Sequence, residues 1–391
     1  MTEGAIAYYQ ATGKNKLLNA AKRFADYISG FFGDGEGRCK GYPGHEIAEM
    51  ALVRLYEVTG EKKYLELSYF FVNERGKRPY YFDQEKDSWK IEKGHEEELR
   101  YFYYQAHFLY NTVLSGMALD GKSFFYVNPL EVVPEACYLD ERKFHVKPVR
   151  QKWFGCACCP PNLARLVSSI GSYAYTEKKE VLYIHLYMDS KVYKELHGDI
   201  IEIFVITDYP WDGKIRVEVK GATGLFTVAL RISGWCRDYQ VKGIEDADTW
   251  MEEGYLYIKK KWTNGDFVEL DFPMKVRVLE ADSRVREDVG KVAVMRGPFV
   301  YCLEEADNGK DLHLISIDVD SKAKVAEQEI AKNVIKAVSF EGFRQKPVQA
   351  EGKGLYYTAG KIQKKRVTLH FVPYYVWANR GENEMQVWVR R

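Results

Sequence analysis

The sequence has no long apolar run, no basic leader and no block of like charge, and each absence excludes a class of protein. No stretch approaches the roughly 18 to 20 apolar residues that a membrane-spanning helix needs, so no membrane partner is expected. The first ten residues, Met1-Thr-Glu-Gly-Ala-Ile-Ala-Tyr-Tyr-Gln10, lack a basic n-region and an apolar h-region. No signal peptide is therefore expected, and a reducing, cytoplasmic setting is. Lysine and arginine number 57 against 56 acidic residues, for a formal charge of +1, and they are dispersed. Nothing marks a nucleic-acid surface. A disulfide framework is excluded too. The seven cysteines are odd in number, and Cys39, Cys137, Cys236 and Cys302 are scattered singly in a chain too long to need staples. Nothing in the pattern fixes an oligomeric state.

What is abundant is aromatic: 29 tyrosines, 20 phenylalanines and 8 tryptophans. Such content suits both sugar-stacking surfaces and large β-rich cores, and composition favours neither. The most specific feature is the run Trp153-Phe-Gly-Cys-Ala-Cys-Cys-Pro-Pro-Asn162, with Cys156, Cys158 and Cys159 inside four residues. Vicinal cysteines rarely bridge each other without strain, and the two prolines hold the thiols at a stiff corner. A cluster of this kind holds a soft metal, carries a reactive thiolate, or does both. The plainer reading is three small buried residues, since free cysteine packs well.

With 391 residues the chain is expected to hold two or three domains. The periodicity is helical up to about residue 176 and strand-like afterwards. Ala-Tyr-Tyr-Gln-Ala-Thr-Gly13 and Arg-Leu-Tyr-Glu-Val-Thr-Gly60 are alike and 47 residues apart, and each closes a helix on glycine before a second amphipathic helix begins. This is an αα-hairpin repeat, the sign of an α/α solenoid or toroid. Later segments such as Ile200-Ile-Glu-Ile-Phe-Val205, Ile215-Arg-Val-Glu-Val219 and Val367-Thr-Leu-His-Phe371 alternate or run apolar, with turns at Trp211-Asp-Gly213 and Asn264-Gly265. The expected fold class is α + β and multidomain. A partial toroid over residues 1–176 is followed by a β-sandwich over 177–280 and a second sandwich or C-terminal β region over 281–391.

Several segments carry a resemblance. Phe124-Phe-Tyr-Val-Asn-Pro-Leu-Glu131 and the cysteine run with Arg165 resemble the zinc-cysteine β-L-arabinofuranosidase family of glycoside hydrolases. So do Gly41-Tyr-Pro-Gly-His45, Leu114-Ser-Gly-Met117, Arg231-Ile-Ser-Gly-Trp-Cys236, Arg296-Gly-Pro298 and Tyr374-Tyr-Val-Trp-Ala-Asn-Arg-Gly381. The resemblance runs nearly the full length. It implies an incomplete (α/α)6 barrel with β-sandwiches behind it, and retaining exo-hydrolysis of β-L-arabinofuranosyl linkages in plant-type glycans, so the implied partner is carbohydrate. It also implies that Cys158 is nucleophile and zinc (Zn2+) ligand, that Cys159 is a second zinc ligand, and that His45, His107 and Tyr126 contact the sugar. Metal-bound thiolate chemistry is coherent, because zinc deprotonates a thiol that is otherwise mostly protonated at neutral pH. It departs from the usual carboxylate pair of retaining glycosidases.

Against the family pattern this chain starts later and is internally shorter. Tyr103-Tyr-Gln-Ala-His107 runs directly into Phe108-Leu-Tyr-Asn-Thr-Val-Leu114, where the family has well over a hundred residues between these stretches. That stretch carries the acid/base glutamate and a Glu-x-Cys zinc pair. Glu135-Ala-Cys137 copies the spelling, in what reads as a loop, and is taken as a chance match. Glu131, Glu135 and Glu96-Glu97-Glu98 are the nearby carboxylates that remain. Three readings stay open: a glycosidase with a substitute acid, a catalytically inactive remnant serving carbohydrate binding or assembly, and a cysteine-nucleophile or redox site in an unrelated hydrolase. The last lacks a local Cys-His signature.

Overall fold

The structure, a computed structural model, describes residues 2–43, 47–77, 108–139, 146–154, 162–164, 166–167, 170–196, 199–221, 224–236, 238–347, 356, 358 and 360–391. The chain forms two compact units, 1–100 and 101–391. Helix and sheet are both present, with three separate sheets. Among the described residues no helix is long and apolar enough to cross a membrane.

The first unit is built from helices α1 (Thr2–Thr12), α2 (Lys16–Phe31), α3 (Ile47–Thr59) and α4 (Lys62–Gly76). The expected repeat is present. Gly13 and Gly60 both have positive φ, +68° and +71°, and their N–H groups donate to Tyr9 O and Tyr56 O at 2.7 Å in each case. A side chain at either position would be strained, so glycine ends each first helix and lets the chain reverse. One face of each helix is buried in a shared core of Ile6, Leu18, Ala25, Leu52, Leu55, Tyr64, Leu67 and Phe71. A second apolar stripe on α2 is left exposed: Leu17, Phe24, Tyr27 and Phe31. α4 repeats this with Leu65, Tyr69 and Val72. A helix that is apolar on two sides is suited to packing between layers.

The second unit carries the sheets. A five-stranded sheet runs in the order Tyr175–Lys178, Val181–Ile184, Gly224–Arg231, Tyr255–Trp262, Asp248–Glu252. A second has the order Ser190–Leu196, Asp199–Thr207, Lys214–Gly221, Phe267–Asp271, Gln240–Lys242. Their facing sides bury Val228, Leu230 and Ile258 from one sheet with Ile201, Ile203, Val205, Val217 and Leu270 from the other. Lys194 crosses between the two, ion-paired with Glu177, and Tyr175 hydrogen-bonds Ser190. The turn at Asn264-Gly265 is as expected, with φ +91° at the glycine.

Among the described residues the third sheet has ten strands, nine from residues 276–390 and one, Glu131–Val132, contributed from far upstream. Glu131 and Val132 pair antiparallel with Gln386 and Met385. The two-residue strand interrupts the helical region expected up to residue 176. A single core joins everything in this unit: Tyr110, Phe125 and Val132 pack in the same cluster as the interiors of all three sheets.

Because α2 and α4 leave large side chains exposed and the helical unit has the smaller apolar core among the described residues, it should open first. Amide hydrogen exchange on the full chain should show α2 and α4 exchanging before Ile201–Val205 and Val338–Phe340. The reverse order would refute the assignment of the weaker core to this unit.

Candidate active site

The loop that leads to the cysteine run is held in place by one buried guanidinium. Arg150 donates through Nε and Nη2 to Ser115 O, at 3.0 and 2.8 Å, and through Nη1 to Trp377 O at 2.5 Å. Nη2 also reaches Tyr375 O at 3.4 Å. The group lies 4.6 Å from the ring centre of Phe125, which is itself stacked on Trp377 at 4.3 Å. Backbone carbonyls and aromatic faces thus take the place of a carboxylate partner. Burial pushes Arg150 down to about 10, which still leaves it charged at neutral pH.

Other bonds fasten the same segment to the ten-stranded sheet. Asn111 donates to Pro298 O at 2.9 Å and accepts from Val300 N at 2.7 Å, bridging the hairpin turn that contains Arg296-Gly-Pro298. Gly297 in that turn has φ +55°, and a Cβ there would run into the Met274 side chain. Asn379 Oδ1 accepts from Leu119 N at 3.0 Å, and Tyr374 OH donates to Pro129 O at 2.7 Å. The 374–381 segment is locked in turn by Arg380, which pairs with Glu304 and Asp307. Glu304, fully buried, also accepts from Ala378 N at 2.9 Å.

From this frame the chain runs toward the cysteines. Gln151 and Phe124 exchange backbone hydrogen bonds of 2.8 Å in both directions. Tyr126, two residues past Phe124, is half-buried, with its ring 5.5 Å from that of Phe154. Phe154 is separated from Cys156 by Gly155 alone.

Of the expected site residues, Tyr126 is the one described. Cys158, Cys159, His45 and His107 lie outside the described residues, as do Cys156 and Glu96-Glu97-Glu98. Glu131 is exposed on its short strand. Glu135 and Cys137 require a correction: they lie on a short helix, Pro134–Leu139, not in a loop. Glu135 is exposed, whereas Cys137 packs toward the core. Positions i and i+2 of a helix point to different sides, so the Glu-x-Cys spelling here does not aim two ligands at one point. Among the described residues no group of three His, Cys, Asp or Glu side chains is placed to hold a metal.

Arg150, Asn111 and Ser115 escaped sequence reading. A lone arginine after Val149 gives no periodic signal, and its partners are carbonyls more than thirty residues away.

Comparison with known proteins accounts for this convergence. The family model for the β-L-arabinofuranosidase GH127 catalytic domain matches in two pieces, residues 1–99 and 93–172. The GH127 middle domain matches residues 181–274, and the glycoside hydrolase family 127 C-terminal domain matches 276–390. A GH127 β-L-arabinofuranosidase from Geobacillus stearothermophilus T6 is 35% identical in sequence, with a TM-score of 0.81 over all of this chain and 79% of that one. The chain belongs to glycoside hydrolase family 127. A second solved family 127 β-arabinofuranosidase is 30% identical, with a TM-score of 0.77 over all of this chain and 75% of the other. The non-reducing end β-L-arabinofuranosidase of Bifidobacterium longum is 29% identical over 513 aligned positions, covering all of this chain and 77% of its own length. This chain has 391 residues, so the family 127 alignment contains a substantial length of the relative's sequence with no counterpart here. The family's fold, a helical toroid with β domains behind it, fits the helical hairpins and sheets described above.

Replacing Arg150 tests the frame directly. Arg150→Met should cost about 2–4 kcal/mol, because Ser115 O and Trp377 O would be left buried without donors. Arg150→Lys should cost less but remain measurable, since an ammonium cannot fork across the same carbonyls. Urea unfolding of the full chain reads both, and a loss under about 0.5 kcal/mol for Arg150→Met would mean that the frame does not depend on it.

Proposed function

We propose that this chain is a glycoside hydrolase of the β-L-arabinofuranosidase type that keeps the sugar-facing loop and the thiol run but turns over at or near background. The observation that carries the reading is the broken match to the catalytic domain, in two pieces, together with an alignment of 513 positions against 391 residues. The domain division that goes with it is a partial toroid over 1–176 and β regions over 177–280 and 281–391. The same observation favours, as the second reading, a catalytically inactive remnant that binds carbohydrate or serves in assembly.

In the full chemistry, Cys158 acts as nucleophile at the anomeric carbon. The S–C bond forms as the glycosidic C–O bond breaks, the leaving oxygen takes a proton, and water then displaces sulfur to restore the starting configuration. Cys158 and Cys159 would be zinc ligands, with His45, His107 and Tyr126 against the sugar. The donor set falls short of the metal. A closed zinc site takes four ligands, two vicinal thiols supply two, and Glu135 and Cys137 sit on different sides of their helix. Weak or absent zinc binding follows, and no step of the proposed chemistry runs through the ion.

A free cysteine thiol titrates near about 8.5 and is mostly protonated at neutral pH, so an unassisted Cys158 would be a poor nucleophile. A placed general acid contributes roughly 10²- to 10⁴-fold. Among the described carboxylates of the loop segment, Glu131 and Glu135 are both exposed.

Purified chain should therefore contain well under one zinc per molecule by elemental analysis. It should hydrolyse an aryl β-L-arabinofuranoside no faster than its Cys158→Ala variant. Stoichiometric zinc together with robust turnover abolished by Cys158→Ala would overturn the proposal and establish that a substitute site has formed.

A further inference from the structure

The outer face of the first β-sandwich sheet carries an aromatic row that its fold does not require. Cross-strand pairing lines up Trp250, Tyr257, Ala229, Tyr183 and Thr176, one residue from each of the five strands. Solvent-facing sides of antiparallel sheets are ordinarily polar, whereas three of these five positions are aromatic. Trp250, 40% exposed, stacks on Tyr257 at 4.9 Å with the rings 11° from parallel and covers it, so that Tyr257 is buried and supports the exposed indole from below. Tyr183 meets Tyr257 edge-on at 5.9 Å, and the alanine between them lies beneath the two rings, fully buried. In the adjoining row Tyr255 pairs across the strands with Glu252 and Arg231. His185 lies parallel to Tyr183 at 6.0 Å and hydrogen-bonds Tyr255 OH and Thr176 Oγ1, at 2.6 Å each.

We propose that this face, built on Trp250, Tyr257, Tyr183, Tyr255 and His185, is a carbohydrate-binding platform made of residues other than those of the cysteine site. Its ligand is a neutral, hydroxyl-rich glycan chain. The C–H faces of a sugar ring carry slight positive charge and stack on the electron-rich faces of Trp and Tyr. Sugar hydroxyls need donors and acceptors beside those rings, and the tyrosine hydroxyls, Glu252, Asp248 and Lys259 supply both. Both signs of charge are interspersed on the face, Glu252 and Asp248 among Lys178, Lys259, Lys261 and Arg231, and the exposed Trp250 lies between the two acidic residues on its own strand. Burial holds His185 below its usual range, and its two ring nitrogens are taken up by Tyr255 OH and Thr176 Oγ1, so it fixes the position of the tyrosine hydroxyl. The choice of ligand rests on the glycoside hydrolase reading above, while the platform itself rests on the aromatic row.

The test is affinity electrophoresis of the full chain in gels containing soluble arabinan, with isothermal titration of an arabino-oligosaccharide alongside. Wild-type chain should be retarded, Trp250→Ala should bind about ten-fold more weakly, and Trp250→Phe should recover most of the loss. Tyr183→Ala provides a second variant should Trp250→Ala fail to fold by circular dichroism. Retardation undiminished in both Trp250→Ala and Tyr183→Ala would overturn the platform and assign binding to another site. Absence of binding in the wild type would overturn it outright. So would a shift of Trp250→Ala from dimer to monomer on size exclusion, because the face would then be an interface between copies. Turnover measured in parallel reports on the cysteine chemistry separately, so the two proposals fail by different readouts.

Discussion

The guanidinium of Arg150 is the constraint on which the candidate site depends. Among the described residues this buried cation hydrogen-bonds carbonyls rather than a carboxylate, with Ser115, Tyr375 and Trp377 around it and Phe125 covering it. An arrangement of this kind has one geometry, since the fork must meet carbonyls from two segments more than two hundred residues apart in sequence. Phe124, Phe125 and Tyr126 are next to that point, and Gln151 through Phe154 leave from it. Residues 124–126 and 150–151 are therefore tied to the C-terminal β region.

This explains which parts of the fold could be read from the residues. The hairpin repeat was legible because Gly13 and Gly60 mark positions where only glycine is unstrained, a local signal. The central strands were legible because alternation is local as well. The edge strand Asp248–Glu252 was not, since all of its residues are exposed and no alternation betrays it. The strand Glu131–Val132 was not either, because two residues carry no period and their partners, Gln386 and Met385, lie at the far end of the chain.

At the site the division is the same. The quoted stretches around residues 114–131, 296–298 and 374–381 meet in space, joined by Asn111, Arg150, Tyr374 and Asn379. Sequence revealed that these stretches belong together by family resemblance, but not that their shared task is to support a loop. The Glu135-Cys137 pair shows the opposite failure. The spelling copies a ligand pair and was taken as a chance match; what local reading missed is the short helix that carries it, which turns the two side chains apart.

Binding and bond breaking make different demands on a scaffold of this kind. Stacking needs only a flat aromatic face and nearby hydroxyl partners, which a rigid sheet supplies from one strand to the next. Displacement at an anomeric carbon needs a deprotonated nucleophile and a placed acid, drawn from separate segments and held to a fraction of an ångström. An internal stretch of sequence can be missing without disturbing Trp250, Tyr257 and Tyr183, because each is fixed by its own strand pairing. A catalytic set drawn from separate segments is exposed to such a loss in a way that a row fixed within one sheet is not. An aromatic row on one sheet is accordingly the feature of this chain that depends least on the rest of it, since each ring is held by the strand beside it.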